Sequence, residues 1–137
     1  MANPHPIRVL VVDDSEDFRR TLQSYLGNIP HTQIVGEATD GREAMFMVEK
    51  LKPTVVLMDI HIPALDGIAA TREIKHKYPH VAILGLSIGP EGYQVYAMVR
   101  AGAFEVVAKE KIGEQLPAAL ERAVASLSAE GEDSRSQ

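Results

Sequence analysis

The stretch VVLMDIHIPALDG, residues 55–67, joins an apolar run to an acid. Residues 55–58 are apolar, Asp59 follows directly, and Asp66 and Gly67 are typical of a turn and helix start. Removing a charge from water is costly unless another group pairs with it. Asp59 therefore either ends a strand without consequence or is held there for a chemical role.

On both sides of this stretch, strand patterns alternate with helix patterns. Helices are indicated by apolar residues three and four apart, most regularly between Leu116 and Leu127, and by capping residues such as Asp40. The predicted strands are residues 7–12, 33–38, 54–58, 81–86 and 104–108. Five strands that alternate with five helices predict a parallel sheet with helices on both faces.

The composition is that of one globular domain. The chain has 137 residues, 45% of them hydrophobic, and a net charge of −5. The absence of cysteine excludes disulfides, thiol nucleophiles and thiolate metal sites. The acidic balance argues against direct binding of nucleic acid. We find neither an apolar run of about 18 residues nor a secretory signal, so we expect a cytoplasmic protein without a membrane span.

The two ends differ from the middle in composition. Residues 1–6 are polar and contain two prolines, and residues 129–137 contain no aromatic or branched aliphatic side chain. Such segments cannot bury enough apolar surface to order themselves. We predict a disordered N-terminus at 1–6, a folded domain at 7–128, and a disordered tail or the start of a linker at 129–137.

Polar residues follow four of the predicted strands. Asp13 and Asp14 follow the first, Asp59 the third, Ser87 the fourth and Lys109 the fifth. In such sheets the ligand site lies beyond the carboxyl ends of the strands. Two carboxylates on neighbouring strand ends, about 5 Å apart, repel by roughly 3 kcal/mol at an intermediate dielectric. A cluster of oxygen ligands without His or Cys suits a hard cation, and Mg²⁺ is the natural candidate.

These pieces together resemble the CheY-like receiver domain of two-component response regulators. The resemblance rests on the Asp13-Asp14 pair, the stretch around Asp59, the Leu86-Ser87 pair and the segment AGAFEVVAKE that leads to Lys109. It covers nearly the whole chain. It implies a flavodoxin-like, doubly wound sheet with strand order 2-1-3-4-5. The segment KEKIGEQLPAAL, residues 109–120, is further similar to NarL-type receivers, which are attached to DNA-binding domains and regulate transcription.

The resemblance also implies a magnesium site. Asp14 and Asp59 would bind Mg²⁺ directly, and Asp13 would bind it mainly through water. The backbone carbonyl of His61 would supply a further ligand.

The same resemblance implies a role in phosphoryl transfer. Asp59 would accept a phosphoryl group from a phosphohistidine on a sensor histidine kinase or a phosphotransfer protein. Ser87 would hydrogen-bond a transferred phosphoryl oxygen, and Lys109 would pair first with Asp59 and then with the phosphoryl group. The new charge would draw in the loop after Ser87. Partners, including a second copy of the chain, would bind the face formed by the fourth helix, fifth strand and fifth helix.

Four residues depart from the family pattern or add to it. Ile88 stands where a small residue is usual and is expected to crowd the phosphoryl pocket. Val106 stands where an aromatic is frequent, which puts the usual switching mechanism in question. Pro90 stiffens the loop after the fourth strand. His61, two residues after Asp59, is a candidate for tuning dephosphorylation.

Three other function classes remain as alternatives. A phosphate-independent pseudo-receiver would act only as a protein-binding module. An aspartyl phosphatase normally needs a second acid two residues after the nucleophile, where this chain has His61. Flavin binding on the same fold has little support, because the chain has only three Phe, four Tyr and no Trp.

Overall fold

The computed structural model describes residues 6–89 and 91–136, and it describes side chains as far as residue 128. One parallel sheet has the strand order β2-β1-β3-β4-β5, which confirms the predicted flavodoxin-like fold. The strands are β1 Ile7–Val12, β2 Thr32–Ala38, β3 Val55–Asp59, β4 Ala82–Ser87 and β5 Glu105–Ala108. The helices are α1 Glu16–Gly27, α2 Gly41–Leu51, α3 Gly67–Lys77, α4 Gly92–Ala101 and α5 Ile112–Ser136.

The helices cover both faces of the sheet. On one face, α1 and α5 bury Leu22, Leu116 and Leu120 against β1, β3 and β4. On the other, α2, α3 and α4 bury apolar residues such as Ile74 and Met98. Because both faces are covered, the strands are almost continuously apolar rather than alternating. This covered sheet is a rigid support for the residues at its strand ends.

Two strands, β3 and β4, end one residue later than predicted. Asp59 lies opposite Leu86 in the β3–β4 ladder, and Ser87 lies opposite Ala108 in the β4–β5 ladder. Both polar residues therefore belong to their strands, although the sequence placed them just after the strand ends. Three of the strands also begin one residue later than predicted, at Val55, Ala82 and Glu105.

The segment after β5 contains an element that was not predicted, a short 3₁₀ helix at Lys109–Lys111. It joins β5 directly to α5, which is continuous to Ser136. The predicted disorder at 1–6 lies outside the described residues except for Pro6, and the side chains from residue 129 onward also lie outside the description. The limits of the folded domain therefore stay predictions. Among the described residues, no helix has the length and apolar character needed to span a membrane.

Gly67 shows why α3 begins where it does. Asp66 is its N-cap and accepts a hydrogen bond from the backbone N–H of Ala69 at 2.9 Å. A methyl group on Gly67 would overlap the carbonyl oxygen of Asp59 and the backbone of Ile60. The predicted Asp-Gly helix start is confirmed, and its glycine lets the helix approach the end of β3 closely.

Candidate functional site

The predicted polar residues meet at one edge of the sheet. Asp13 directly follows β1, Asp59 and Ser87 end β3 and β4, and Lys109 directly follows β5. Since β3 lies between β1 and β4, Asp59 is at the centre of this group. The site is therefore built on the ends of rigid strands.

Three carboxyl groups form a close cluster. One oxygen from each of Asp13, Asp14 and Asp59 lies within 4.8 Å of the others. Asp13 is fully buried, Asp59 is 4% exposed, and Asp14 is exposed. One carboxylate oxygen of Asp13, Oδ1, accepts a hydrogen bond from the N–H of Ser15 at 2.8 Å. The cluster thus has two buried carboxyl groups and one that faces solvent.

Lys109 neutralises part of this charge. Its Nζ lies 2.6 Å from Asp13 Oδ2 and 3.2 Å from Asp59 Oδ2. The ammonium also lies over the ring of Phe18, 4.4 Å from its centroid. Burial disfavours the charged ammonium, but the hydrogen bond to Asp13 and the charges of both acids outweigh it, so the pKa of Lys109 is raised. The lysine is firmly held in its charged form.

Asp59 is less readily ionised than an ordinary aspartate. Burial raises its pKa above 3.8, and the neighbouring charge of Asp13 acts in the same direction. The N–H of His61, which donates to Asp59 Oδ1 at 3.1 Å, and the charge of Lys109 only partly oppose this rise. An added cation would relieve the excess negative charge. The three carboxylates are also the hard oxygen ligands that Mg²⁺ prefers, so the residues fit this ion.

Ser87 contributes a hydroxyl group that has no hydrogen-bond partner among the described residues. The residue is 1% exposed, and among the described residues no group hydrogen-bonds its Oγ. A buried hydroxyl without a partner is costly. Ser87 can therefore donate a hydrogen bond to an oxygen atom that enters the site.

The side chain of His61 is exposed and contacts helix α4. The imidazole Nε2 lies 3.0 Å from Nε2 of Gln94, in the first turn of α4. The metal-binding role predicted for its carbonyl oxygen stays a prediction. The contact with Gln94 was not predicted, because 33 residues separate the two positions.

The loop between β4 and α4 also has an unpredicted contact. The N–H of Gly89 lies 3.1 and 3.3 Å from the two carboxylate oxygens of Glu110, in the 3₁₀ helix. Gly89 has a φ of +49°, which glycine adopts readily. Ile88, which we expected to crowd the pocket, is 76% exposed, so most of its side chain faces solvent rather than the Ser87 hydroxyl. Val106 packs in the core cluster shared by α2, α3 and α4.

Comparison with known families and sequences gives one consistent result. Residues 9–121 match the family model described as the response regulator receiver domain. The transcriptional regulatory protein DegU of Brevibacillus brevis is 35% identical over 108 residues, which are 79% of this chain and 46% of that protein. A protein-glutamate methylesterase/protein-glutamine glutaminase of Desulfitobacterium hafniense is 41% identical over 109 residues, which are 79% of this chain and 28% of that enzyme. The chain thus spans less than half the length of these two relatives.

Solved structures have the same fold. The response regulator domain of Thermotoga maritima CheB is 32% identical and superposes with a TM-score of 0.82, covering 88% of this chain and 98% of that one. The signal receiver domain of the response regulator NarL from Mycobacterium tuberculosis is 26% identical, with a TM-score of 0.84 and coverage of 89% and 98%. Likeness extends to both NarL-type and CheB-type receivers.

Proposed function

Because this chain belongs to the response regulator receiver family, we propose that it accepts a phosphoryl group on Asp59 and thereby switches its binding to a partner. One observation carries the proposal. At the end of a buried strand, the Asp59 carboxyl group lies next to two further carboxyl groups and is paired with the Lys109 ammonium. Phosphoryl transfer depends mainly on positioning and charge neutralisation, and this arrangement provides both.

The proposed donor is a phosphohistidine on a sensor histidine kinase or a phosphotransfer protein. An oxygen of Asp59 attacks phosphorus, the P–N bond breaks, and its electron pair stays on the histidine ring, which takes up a proton. Lys109 then offsets the negative charge of the new acyl phosphate. Ser87, whose hydroxyl is without a partner among the described residues, donates a hydrogen bond to a phosphoryl oxygen.

Asp13, Asp14, Asp59 and the carbonyl oxygen of His61 are the proposed ligands of Mg²⁺. The bound ion would neutralise charge on the phosphoryl oxygens and bring the donor to Asp59. The proposed activities are the self-phosphorylation and self-dephosphorylation of Asp59. We propose no reaction on any other substrate.

The proposed partner surface includes exposed apolar side chains from α4 and the segment before β5. Tyr93 is 71% exposed, Tyr96 67%, Val99 46% and Phe104 39%. Met98, in the same helix, is fully buried in the core and is not part of this surface. An output partner or a second copy of the chain would bind here after phosphorylation.

The proposal also covers the output, which is the activity that the receiver would regulate. DegU is named as a transcriptional regulator and the other relatives as methylesterases, and each is longer than the matching segment. We propose that an attached or separate module supplies the output, and that any DNA binding belongs to that module. A cytoplasmic location goes with this role.

The decisive experiment is the intact mass of the protein after incubation with acetyl phosphate, with and without Mg²⁺. We expect a Mg²⁺-dependent gain of one phosphoryl group, its loss in Asp59→Asn, and its retention in the exposed control Asp17→Asn. No gain in the wild-type protein under any condition would contradict the proposal and favour the phosphate-independent binding module. The described residues give that alternative no support of their own.

A further inference from the structure

Gln94 connects helix α4 to the segment that follows Asp59. Its side-chain nitrogen lies 3.0 Å from Nε2 of His61, and its side-chain oxygen accepts a hydrogen bond from the N–H of Glu91 at 3.3 Å. The second contact determines which end of the amide faces His61. Since an amide nitrogen can only donate, this hydrogen bond has His61 Nε2 as its acceptor.

His61 in turn is tied to the phosphoacceptor. Its backbone N–H donates to Asp59 Oδ1 at 3.1 Å. The preceding residue is fixed as well, because the N–H of Ile60 donates to the carbonyl of Leu86 at 3.0 Å. The exposed imidazole of His61 is the group that contacts helix α4. Without Gln94, the peptide group after His61 would lose this restraint.

The contact joins the connections that follow two neighbouring strands. His61 lies after β3, and Gln94 lies in the helix after β4. Groups that orient the ligands of a metal ion strongly affect its affinity. The carbonyl of His61 is a proposed ligand of Mg²⁺, so its orientation matters for that site.

We propose that Gln94 is a positioning residue, which holds the His61 peptide group in place for Mg²⁺ through the His61 imidazole. This inference rests on the proposed function, because that function supplies the metal site. It connects a residue of α4 to the proposed metal site through His61.

The first test is a titration with Mg²⁺ at one fixed pH without any phosphoryl donor. The NMR chemical shift of the backbone amide of residue 61 reports binding and gives the dissociation constant. Gln94→Met keeps the length of the side chain but removes its hydrogen bonds. We expect the Mg²⁺ dissociation constant to rise about fivefold, the effect of one hydrogen bond. Gln115→Met, an exposed position on α5, is the matched control and should leave the constant unchanged.

A double-mutant cycle separates positioning from a plain effect on the start of α4. If Gln94 acts through His61, adding Gln94→Met to His61→Ala should change the dissociation constant by less than twofold. The inference is overturned if Gln94→Met alone has no effect, if its effect persists in the His61→Ala background, or if the wild-type protein does not bind Mg²⁺.

Acetyl phosphate then supplies a kinetic readout. We expect Gln94→Met to raise the Mg²⁺ concentration for half-maximal phosphorylation about fivefold and to leave the rate at saturating Mg²⁺ within twofold. A wild-type protein that binds Mg²⁺ but gains no phosphoryl group would contradict the proposed function and leave the binding result standing. Normal phosphorylation with an unchanged Mg²⁺ requirement in Gln94→Met would contradict the inference alone.

Discussion

The Asp59 carboxyl group is buried beside Asp13, and both conditions oppose its ionisation. Its folded-state pKa is therefore above the value of 3.8 expected in the unfolded chain. Protonation favours the folded state on the acid side, and this contribution is lost as the pH rises through the folded-state pKa. Above that pKa and without metal, the ionised Asp59 carboxyl group therefore lowers the stability of the folded protein.

Asp59→Asn should accordingly stabilise the metal-free protein at pH 7, by roughly 1 kcal/mol, the size of a typical single-substitution effect. The gain should shrink as the pH falls through the folded-state pKa of Asp59, because the wild-type carboxyl group is then protonated. Urea unfolding in EDTA at a series of pH values from 7 downwards measures it, with Asp17→Asn as the exposed control. Equal stability of wild type and Asp59→Asn at pH 7 would show that burial does not destabilise the carboxylate.

Ser87→Ala should have opposite effects on the free and phosphorylated protein. The hydroxyl is buried without a partner among the described residues, so its removal should raise the free energy of unfolding by about 1 kcal/mol. The acyl phosphate should form more slowly, because a phosphoryl oxygen loses the hydrogen bond that the Ser87 hydroxyl would donate. Thermal unfolding and intact mass measure the two effects.

Ser15→Ala is the control for this measurement. Its hydroxyl accepts from the N–H of Phe18 at 3.2 Å and caps α1, so its loss should destabilise by about 1 kcal/mol. Destabilisation of similar size in both variants would mean that the Ser87 hydroxyl has a partner after all.

At the scale of elements, the residue that caps the C-terminus of helix α2 has an unfavourable backbone conformation. Lys52 has φ 48° and ψ 62°, the left-handed conformation that glycine adopts most easily at this position. Its N–H still bonds the carbonyl of Val48 at 2.9 Å, and its own carbonyl accepts from the Arg8 guanidinium at 2.8 Å. Both contacts use backbone atoms and so do not require a lysine side chain.

Lys52→Gly should therefore raise the free energy of unfolding by about 1 kcal/mol. Glu49→Gly, an exposed position inside the same helix, should lower it by about the same amount. Chemical denaturation of both variants checks the pair. A destabilised Lys52→Gly would mean that the side chain contributes more than its backbone conformation costs.

The sequence predicts elements better than it predicts contacts between them. Hydrophobic periodicity and caps such as Asp40 and Asp66 depend on neighbouring residues, and the structure confirms these starts of α2 and α3. The last residues of β3 and β4 depend on pairing with other strands, so polar Asp59 and Ser87 were placed outside. Lys109 and Asp59 are 50 residues apart, and family resemblance rather than local pattern predicted their pairing.

At the scale of the whole molecule, one sheet brings residues from four strand ends into one site. Asp13, Asp59, Ser87 and Lys109 meet only when β1, β3, β4 and β5 are correctly assembled. An ion that binds this site therefore binds the folded state in preference to the unfolded chain. Folding and binding of Mg²⁺ should be linked.

Mg²⁺ at ten times its dissociation constant should raise the free energy of unfolding by about 1.4 kcal/mol. The melting temperature should rise by several degrees, and EDTA should reverse the rise. Asp14→Asn should largely abolish the effect, whereas Asp17→Asn should keep it. An equal rise with NaCl of the same ionic strength would indicate charge screening instead of binding.

Glu110 gives the molecule one further property, through its two contacts with the N–H of Gly89. The proposed inward movement of the loop after Ser87 would require these hydrogen bonds to break or stretch. Slower exchange of the Gly89 amide hydrogen in wild type than in Glu110→Ala would reveal this restraint. In the proposed switch these contacts would favour the loop conformation of the unphosphorylated protein, so a substitution of Glu110 alone would change the fraction of phosphorylated protein that reaches the switched conformation.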